Sequence, residues 1–329
     1  MTKSFLSYLV ALIAAVAPTG TAAPVPAAPG VVSEHGRLQV AGNRIVGADG
    51  RPVSLAGNSF FWSQWKGRFY TAETVAWLKR DWNSSIVRAT LGINGGDGYL
   101  RAPERNLPNV TAVVDAAIVN DMYVLIDWHD HRANEHAEQS VAFFSDMARR
   151  YGNSPNVIYE IFNEPLTDAS WERDVKPYAE RVIAAIRAHD PDNLIVVGTP
   201  AWSQRVDLAA ADPIKDPNVA YALHFYAGTH KADVRAKAEE ALKLGAALMV
   251  TEWGVCNADG DGPIDEASVN EWMDFMRRNQ LSHCNWAISD KSESASILRP
   301  GASEKGGWSD ADLTPAGLLV RGLIRGWSR

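Results

Sequence analysis

Short apolar segments recur along the chain and are separated by longer amphipathic ones. Eight of them are mostly β-rich and carry few charges: SLAGNS, SIVRAT, MYVLIDWH, NVIYEIFNE, NLIVVG, NVAYALHFY, ALMVTEWG and HCNWAIS. Short, almost continuous apolar runs of this kind are typical of parallel strands that are buried on both faces. The pattern therefore predicts eight buried strands between residues 54 and 289.

The segments between these runs have the spacing of amphipathic helices. They are TAETVAWLKRDW, NVTAVVDAAIVND, AEQSVAFFSDMARRYG, SWERDVKPYAERVIAAIRAHD, KADVRAKAEEALKLG and DEASVNEWMDFMRRN. After the fifth strand only a short helix near residues 203–210 is expected, and a last helix covers residues 315–325. Eight strands alternating with helices predict an α/β fold, a closed (β/α)8 TIM barrel. An open doubly wound sheet is the alternative, but no Gly-rich phosphate turn follows the first strand.

The N-terminus predicts export. Lys3 precedes the apolar run LSYLVALIAAVA and the small residues TGTAA, which is the pattern of a secretory signal peptide. The apolar run is shorter than the roughly 20 residues that span a bilayer, which argues against a retained membrane anchor. We expect a signal peptide over residues 1–23, a flexible leader over 24–33 and one folded domain over 34–329 that starts with a short β-hairpin. The mature protein is then secreted, either extracellular or periplasmic.

The charge balance argues against several classes of partner. The formal net charge is −7 with Lys and Arg dispersed, so we expect neither nucleic acid nor, after signal cleavage, a membrane as a partner. A neutral ligand fits better, and the 12 Trp residues offer flat apolar faces that suit sugar rings. Cys256 and Cys284 can form a disulfide in an oxidising compartment or remain buried thiols, and the sequence leaves both open.

Polar and aromatic side chains gather where the predicted strands end. In a (β/α)8 barrel the carboxyl ends of the strands form one open face, which carries the active site. The strand ends provide Arg88, His129, Asn163, Glu164, His224, Tyr226, Glu252 and Trp286. Charged groups that share a region of low dielectric are costly unless they are paired or used. This set therefore predicts a catalytic site.

Two glutamates in this set suit the cleavage of a glycosidic bond. Glu164 and Glu252 follow the fourth and seventh predicted strands, so their side chains can converge across the mouth of the barrel. Glycoside cleavage needs one carboxylic acid to protonate the leaving oxygen and one carboxylate on the other side of the anomeric carbon. We predict Glu164 as the acid/base and Glu252 as the nucleophile of a retaining glycosidase. Their oxygens should then lie no further apart than about 5.5 Å.

The other strand ends are expected to support these two carboxylates. Arg88 and His129 are predicted as their neighbours, and the Arg88 guanidinium is expected to lower the pKa of Glu252 and keep it ionised. Asn163 is placed to hydrogen-bond the sugar 2-hydroxyl, and Tyr226 to hold the nucleophile in line.

In this order the motifs resemble glycoside hydrolase family 5, in clan A of the retaining (β/α)8 glycosidases, and within it the bacterial endo-1,4-β-glucanase (cellulase) subfamily. The resemblance covers nearly all of the mature chain, through VRA, IDWH, PNVIYEIFNEP, VGTPAWSQ, YALHFYAGTH, TEWG and CNWAISDKSES. It implies catalysis by Glu164 and Glu252, supported by Arg88, His129, Asn163, His224 and Tyr226. It also implies substrate contacts by Trp65, Lys291 and Glu293 on the non-reducing side, by Trp286, and by Trp202 on the leaving-group side.

The sequence leaves alternative functions open. One barrel hosts many specificities through its loops, so a β-mannanase or another β-glycanase is possible, and a non-catalytic carbohydrate-binding barrel is a third reading. His129, Asp130, His131 and His136 lack the spacing of a metal site such as HExxH, and residues 257–265 lack the closing glutamate of a calcium loop. We therefore expect no metal and no cofactor, a β-glucan polysaccharide as substrate, and a monomer.

Overall fold

The folded part of the chain begins earlier than predicted. The computed structural model describes Met1 and residues 30–328, so the predicted signal peptide beyond Met1 and the leader up to residue 29 lie outside the described residues. Residues 31–33, predicted as leader, instead belong to the short helix Val31–His35. Hydrophobic burial stabilises this helix, because Val31 and Val32 are buried and belong to the cluster inside one end of the barrel.

The strands form a hairpin and a closed barrel, as the sequence pattern predicts. The hairpin pairs β1 Gln39–Ala41 with β2 Arg44–Val46 in antiparallel fashion. The barrel strands are β3 Ala56–Phe60, β4 Ile86–Gly92, β5 Tyr123–His129, β6 Val157–Glu160, β7 Ile195–Val197, β8 Val219–Tyr226, β9 Leu248–Gly254 and β10 His283–Ile288. They pair in sequence order, and β10 closes the ring on β3. The prediction of an α/β (β/α)8 barrel with a short N-terminal hairpin is confirmed.

Helices connect the strands on the outside of the barrel. The longer ones are Ala72–Trp82, Pro103–Val119, Ala137–Tyr151, Lys176–Arg187, Val206–Ala211, Ala232–Lys243, Glu266–Asn279 and Pro315–Arg325. Short helical turns lie at Ser63–Lys66, Gly67–Phe69, Ala133–His136, Trp171–Val175, Pro200–Ser203 and Asp310–Asp312. Side chains of Thr71, Asp265 and Thr314 accept backbone N–H bonds at helix starts, as N-caps do. Within the described residues, no helix is long and apolar enough to span a bilayer.

The interior of the barrel changes from apolar to charged along its axis. Near the amino ends of the strands it is an apolar cluster that includes Met249 and is continuous with the helix Val31–His35. Near the carboxyl ends it holds Arg88, Asp127 and Glu160, all fully buried. Buried charges are stable only when they are paired and hydrogen-bonded, so this half of the barrel carries the polar chemistry.

The two cysteines lie in different halves of the barrel. Cys284, near the start of β10, belongs to the apolar cluster at the amino ends of the strands. Cys256 follows the end of β9 and belongs to a cluster at the mouth that includes Trp286. Both are buried free thiols. Of the two states that the sequence leaves open, the buried free thiols are the one found; the tentative Cys256–Cys284 disulfide is wrong, since the two side chains belong to separate clusters.

Candidate active site

A cavity of about 750 Å³ opens at the carboxyl ends of the strands. Its walls combine aromatic rings with titratable groups: Phe61, Trp62, Trp65, His129, His131, Glu164, Trp202, His224, Tyr226, Glu252, Trp286, Lys291 and Glu293. A concave site that mixes apolar faces with a few convergent polar groups is the usual form of a small-ligand or substrate site. This cavity contains most of the residues that the sequence singles out.

Glu164 and Glu252 face this cavity together. One oxygen of each carboxylate and one ring nitrogen of His224 all lie within 4.8 Å of one another. Retaining glycosidases hold their two carboxyl groups about 5–5.5 Å apart, whereas inverting ones hold them about 6.5–9.5 Å apart to admit a water molecule. The observed separation allows direct attack by one carboxylate.

Arg88 organises the floor beneath these carboxylates. Its Nε donates to Glu160 at 2.7 Å and its Nη1 to Glu252 at 2.9 Å. Its Nη2 lies 3.0 Å from Asp127 and donates to the Asn163 Oδ1 at 2.6 Å. Burial by itself would lower the pKa of Arg88, but the three carboxylates outweigh it and raise the pKa. The guanidinium is therefore a permanent positive charge with a fixed orientation.

Glu252 is held by two donors, one on each oxygen. Arg88 donates to Oε2, and the Tyr226 hydroxyl donates to Oε1 at 2.7 Å. Burial and then the charge of Glu164 raise the pKa of Glu252, while His224, Arg88 and Tyr226 oppose them. Arg88 therefore acts on Glu252 in the expected direction, because it lowers the pKa, but burial and Glu164 outweigh it and the net shift is upward.

Glu164 is linked to the barrel interior through His224. The His224 Nδ1 lies 2.9 Å from the Glu164 Oε1, and its Nε2 lies 2.8 Å from the Thr251 hydroxyl. That hydroxyl donates to Glu160 at 2.6 Å. Burial alone would lower the pKa of His224, but the neighbouring carboxylates Glu160 and Glu164 and the charge of Glu252 raise it to about 9.

A bulge explains why two adjacent residues of β9 both serve this network. Side chains normally alternate between the two faces of a strand. Between Ala222 and His224 on β8 the register with β9 shifts by one residue, because their partners are Met249 and Glu252. The extra residue lets Thr251 and Glu252 contact the same site, a use that β-bulges often have near active sites.

His129 and Asn163 are fixed by their neighbours. The His129 Nδ1 lies 2.8 Å from Asp127, and its ring stacks on Trp286 with centroids 5.1 Å apart. Burial lowers the pKa of His129 well below its ordinary value, so the ring is neutral. Because the Asn163 Oδ1 accepts from Arg88, its Nδ2 is left without a partner in the described residues. That Nδ2 is a buried donor available to a ligand.

Aromatic side chains stand at the rim of the cavity. Trp65 is 53% exposed and Trp202 is 43% exposed, whereas Trp286 is nearly buried. Large exposed aromatic rings beside a cavity indicate a binding surface. Lys291 and Glu293, which form an ion pair, complete this rim.

The predicted residues are thus gathered in one place, except the two cysteines. Arg88 and Asn163 lie buried directly behind the cavity, and the remaining predicted residues line it. The sequence analysis missed Asp127, Glu160 and Thr251. A signal for the first two was present, because each carboxylate interrupts an otherwise apolar strand.

The histidines that suggested a metal site do not converge. His136 pairs with Asp130 at 2.6 Å, while His129 pairs with Asp127. His131 instead lies 3.6 Å from the Glu164 carboxylate. Among the described residues, the group close enough to hold an ion is Glu164, His224 and Glu252. The Arg88 guanidinium beside Glu252 opposes a cation there by direct repulsion.

Known proteins resemble this chain over most of its length. The model of the cellulase family, glycosyl hydrolase family 5, matches residues 46–292. Endoglucanase Z of Dickeya dadantii (strain 3937) is 53% identical over 293 residues, which cover 88% of this chain and 66% of that protein. The chain therefore spans just under two thirds of the length of this curated relative.

Solved structures share the fold. A protein from Cytophaga hutchinsonii superposes with a TM-score of 0.89 at 49% identity, covering 90% of this chain and 97% of that one. A variant of the catalytic domain of Thermobifida fusca endoglucanase Cel5A, in complex with cellotetraose, superposes with a TM-score of 0.85 at 32% identity, covering 90% and 99%.

Proposed function

The chain belongs to the cellulase family, glycosyl hydrolase family 5, and we propose that it is a retaining endo-1,4-β-glucanase that cleaves cellulose or related β-glucans. The observation that carries the proposal is the approach of Glu164 and Glu252 to within 4.8 Å at the mouth of the barrel. Endoglucanase Z and the cellotetraose complex of the Thermobifida enzyme support the choice of substrate.

In the first step Glu252 attacks the anomeric carbon while Glu164 protonates the departing glycosidic oxygen. The donors from Arg88 and Tyr226 hold the attacking carboxylate in one orientation, so little rearrangement is needed to reach the transition state. Asn163 Nδ2 donates to the sugar 2-hydroxyl, a bond that strengthens as positive charge develops on the ring.

In the second step the glycosyl-enzyme is hydrolysed. The ester formed with Glu252 is neutral, so no second carboxylate charge faces Glu164 in this step. Glu164 then takes a proton from water, which attacks the anomeric carbon and releases Glu252. The configuration at that carbon is retained because it is inverted twice.

His224 keeps the acid/base supplied with a proton. Because the pKa of His224 is raised to about 9, its ring is protonated at neutral pH and the Nδ1–H donates to Glu164 across 2.9 Å. The proton that Glu164 passes to the leaving group is held in this pair before catalysis.

The substrate is a polymer that runs along the rim of the cavity. Trp65, Lys291 and Glu293 contact glucosyl units on the non-reducing side, Trp286 packs beside the cleaved unit, and Trp202 contacts the leaving-group side. The exposed rings of Trp65 and Trp202 both lie at the rim of the cavity. Sugar units on both sides of the cleaved bond can therefore be bound, which suits cleavage within a polysaccharide. The protein works without a cofactor or a metal in this scheme.

Export and domain organisation complete the proposal. Residues 1–23 act as a signal peptide, and the catalytic domain, which starts at residue 31, works as a secreted monomer. N-terminal sequencing of the secreted protein and its mass in solution test these two points.

Substrate choice decides between this function and its alternatives. Release of reducing ends is measured on carboxymethylcellulose, barley β-glucan and galactomannan. We expect activity on the two glucans, whereas activity on galactomannan alone would make the protein a β-mannanase. Binding to cello-oligosaccharides without release of any reducing ends would indicate a non-catalytic carbohydrate-binding barrel.

A further inference from the structure

Three consecutive residues after β7 have a left-handed backbone. Ala201, Trp202 and Ser203 have φ values of 56°, 55° and 57°. None is a glycine, and L-residues rarely adopt this conformation in a run because Cβ approaches the following carbonyl oxygen. Strained backbone of this kind persists only where its surroundings hold it, and it is common at functional sites.

Hydrogen bonds from this turn hold it against the loop that carries the acid/base. The backbone N–H of Ala201 donates to the carbonyl of Leu166 at 3.3 Å, and that of Trp202 donates to the carbonyl of Pro165 at 2.8 Å. The Ser203 hydroxyl donates to the carbonyl of Asn163 at 2.7 Å. The turn thus bonds to the main chain on both sides of residue 164.

The contact between the two segments is close and buried. Ser203 is fully buried, and its hydroxyl also accepts the backbone N–H of Thr199 at 3.2 Å. A Cβ on Gly198 would come within 2.1 Å of the Phe162 carbonyl oxygen. The lack of a side chain at position 198 therefore lets the end of β7 approach the catalytic loop.

We propose that the left-handed turn, residues 201–203, positions the acid/base Glu164, and that Ser203 is the positioning residue. The inference rests on the proposed function. The carbonyls of Asn163 and Pro165 flank Glu164, so bonds to both of them fix the backbone from which its carboxyl group projects. Trp202, which lies in the same turn, lines the cavity. The left-handed turn thereby holds both the indole of Trp202, which contacts the leaving group, and the backbone of Glu164, which protonates it.

The test compares two aryl β-cellobiosides that differ in their need for an acid. Dinitrophenolate leaves without a proton, whereas phenolate needs one, so the ratio of kcat/KM on the two reports acid catalysis alone. For Ser203→Ala we expect kcat/KM on the phenyl substrate to fall about 10- to 100-fold, the scale of a catalytic group misplaced by about 1 Å, and to fall less than about threefold on the dinitrophenyl substrate. Ser203→Gly, which tolerates the left-handed backbone, removes the same hydroxyl and should give the same change in ratio.

Ser54→Ala is the matched control. The Ser54 hydroxyl is also buried and makes two hydrogen bonds, to the Leu281 carbonyl and from the Trp327 indole. This variant should lose stability without changing the ratio between the substrates. An equal loss on both substrates in Ser203→Ala and Ser203→Gly, or no loss, would overturn the inference. Failure of the proposed function itself would show separately, as a wild-type protein that releases no reducing ends from carboxymethylcellulose or barley β-glucan.

Discussion

The Nδ1 of His224 lies 2.9 Å from the Glu164 carboxylate, and the far side of the same ring is fixed by a chain of donors. Burial raises the pKa of Glu160, but Arg88 and His224 outweigh it and lower the pKa, so Glu160 is ionised and only accepts. Thr251 donates to it and must then accept from the Nε2–H of His224. The other ring nitrogen is left to share a proton with Glu164.

Breaking this series of hydrogen bonds should shift the pH dependence of kcat/KM. The pKa of His224 is raised to about 9, so the shared proton is present below that pH and is lost as the pH rises through it. In Thr251→Val the Nε2–H loses its acceptor and the pKa of His224 falls. We expect the alkaline limb of kcat/KM, near pH 9 in the wild-type protein, to move to lower pH in a profile measured from pH 5 to 10.

Thr74→Val is the control for this experiment. It removes a buried hydroxyl that donates to the Glu304 carbonyl, on a helix outside the barrel. Its alkaline limb should stay where it is in the wild-type protein. An unchanged limb in Thr251→Val as well would show that this hydroxyl does not set the state of His224.

Replacing the nucleophile should abolish turnover but not binding. Glu252→Gln keeps the shape of the side chain and its contact with Tyr226, but an amide cannot form the glycosyl-enzyme. We expect kcat on barley β-glucan to fall by about four orders of magnitude or more, as for other nucleophile knockouts, while cellotetraose still binds in calorimetry. Glu135→Gln, at an exposed surface pair, should keep wild-type rates. Substantial turnover by Glu252→Gln contradicts the assignment.

Loss of the Asn163 amide should remove the recognition of the 2-hydroxyl. Its Nδ2 has no partner in the described residues, and contacts to this hydroxyl contribute several kcal/mol in the transition state, so Asn163→Ala should lower kcat/KM by about 100-fold or more. The decisive measurement is the ratio of rates on an aryl cellobioside and its 2-deoxy analogue. This ratio should collapse in Asn163→Ala and stay unchanged in Asn43→Ala, which alters a bond to Leu242 outside the barrel. An unchanged ratio in Asn163→Ala would assign that hydroxyl to another residue.

Substituting alanine for each of two glycines should change the free energy of unfolding in opposite directions. At Gly198 the new methyl group would meet the Phe162 carbonyl oxygen at 2.1 Å, so we expect a loss of about 1–3 kcal/mol or more in the free energy of unfolding. At Gly322, in the helix Pro315–Arg325, no atom lies within 4 Å of the new position. There alanine should stabilise the protein by about 0.5–1 kcal/mol. Urea unfolding measures both, and equal effects would contradict the close approach at position 198.

The free state of the two cysteines is also directly measurable. Burial raises the pKa of both thiols, Cys256 to about 12, and both side chains are inaccessible. A thiol reagent should therefore detect neither cysteine in the folded protein and both after unfolding without reductant. A disulfide would leave the unfolded protein without reactive thiols.

Much of the fold could be predicted because its signals are local. Each barrel strand is a short apolar run, and the helices between them have their own periodicity, so the order of elements follows from the chain alone. The strand ends then identify Glu164 and Glu252, because a closed parallel barrel brings all carboxyl ends to one face. The start of the domain at Val31 could not be predicted from the Pro- and Ala-rich stretch before it, because its helix is stabilised by burial against the barrel.

The sequence by itself determined the barrel, its open face and the pair of glutamates. Tertiary structure alone decided how Arg88 divides its donors among three carboxylates, and it created the bulge that directs Thr251 toward His224. It also decided the net direction of the pKa shift of Glu252 and placed the two thiols in separate clusters. The physical reason is that strands and helices follow from neighbouring residues, whereas desolvation, charge and hydrogen-bond geometry depend on atoms that are distant in the chain and meet only in the folded barrel.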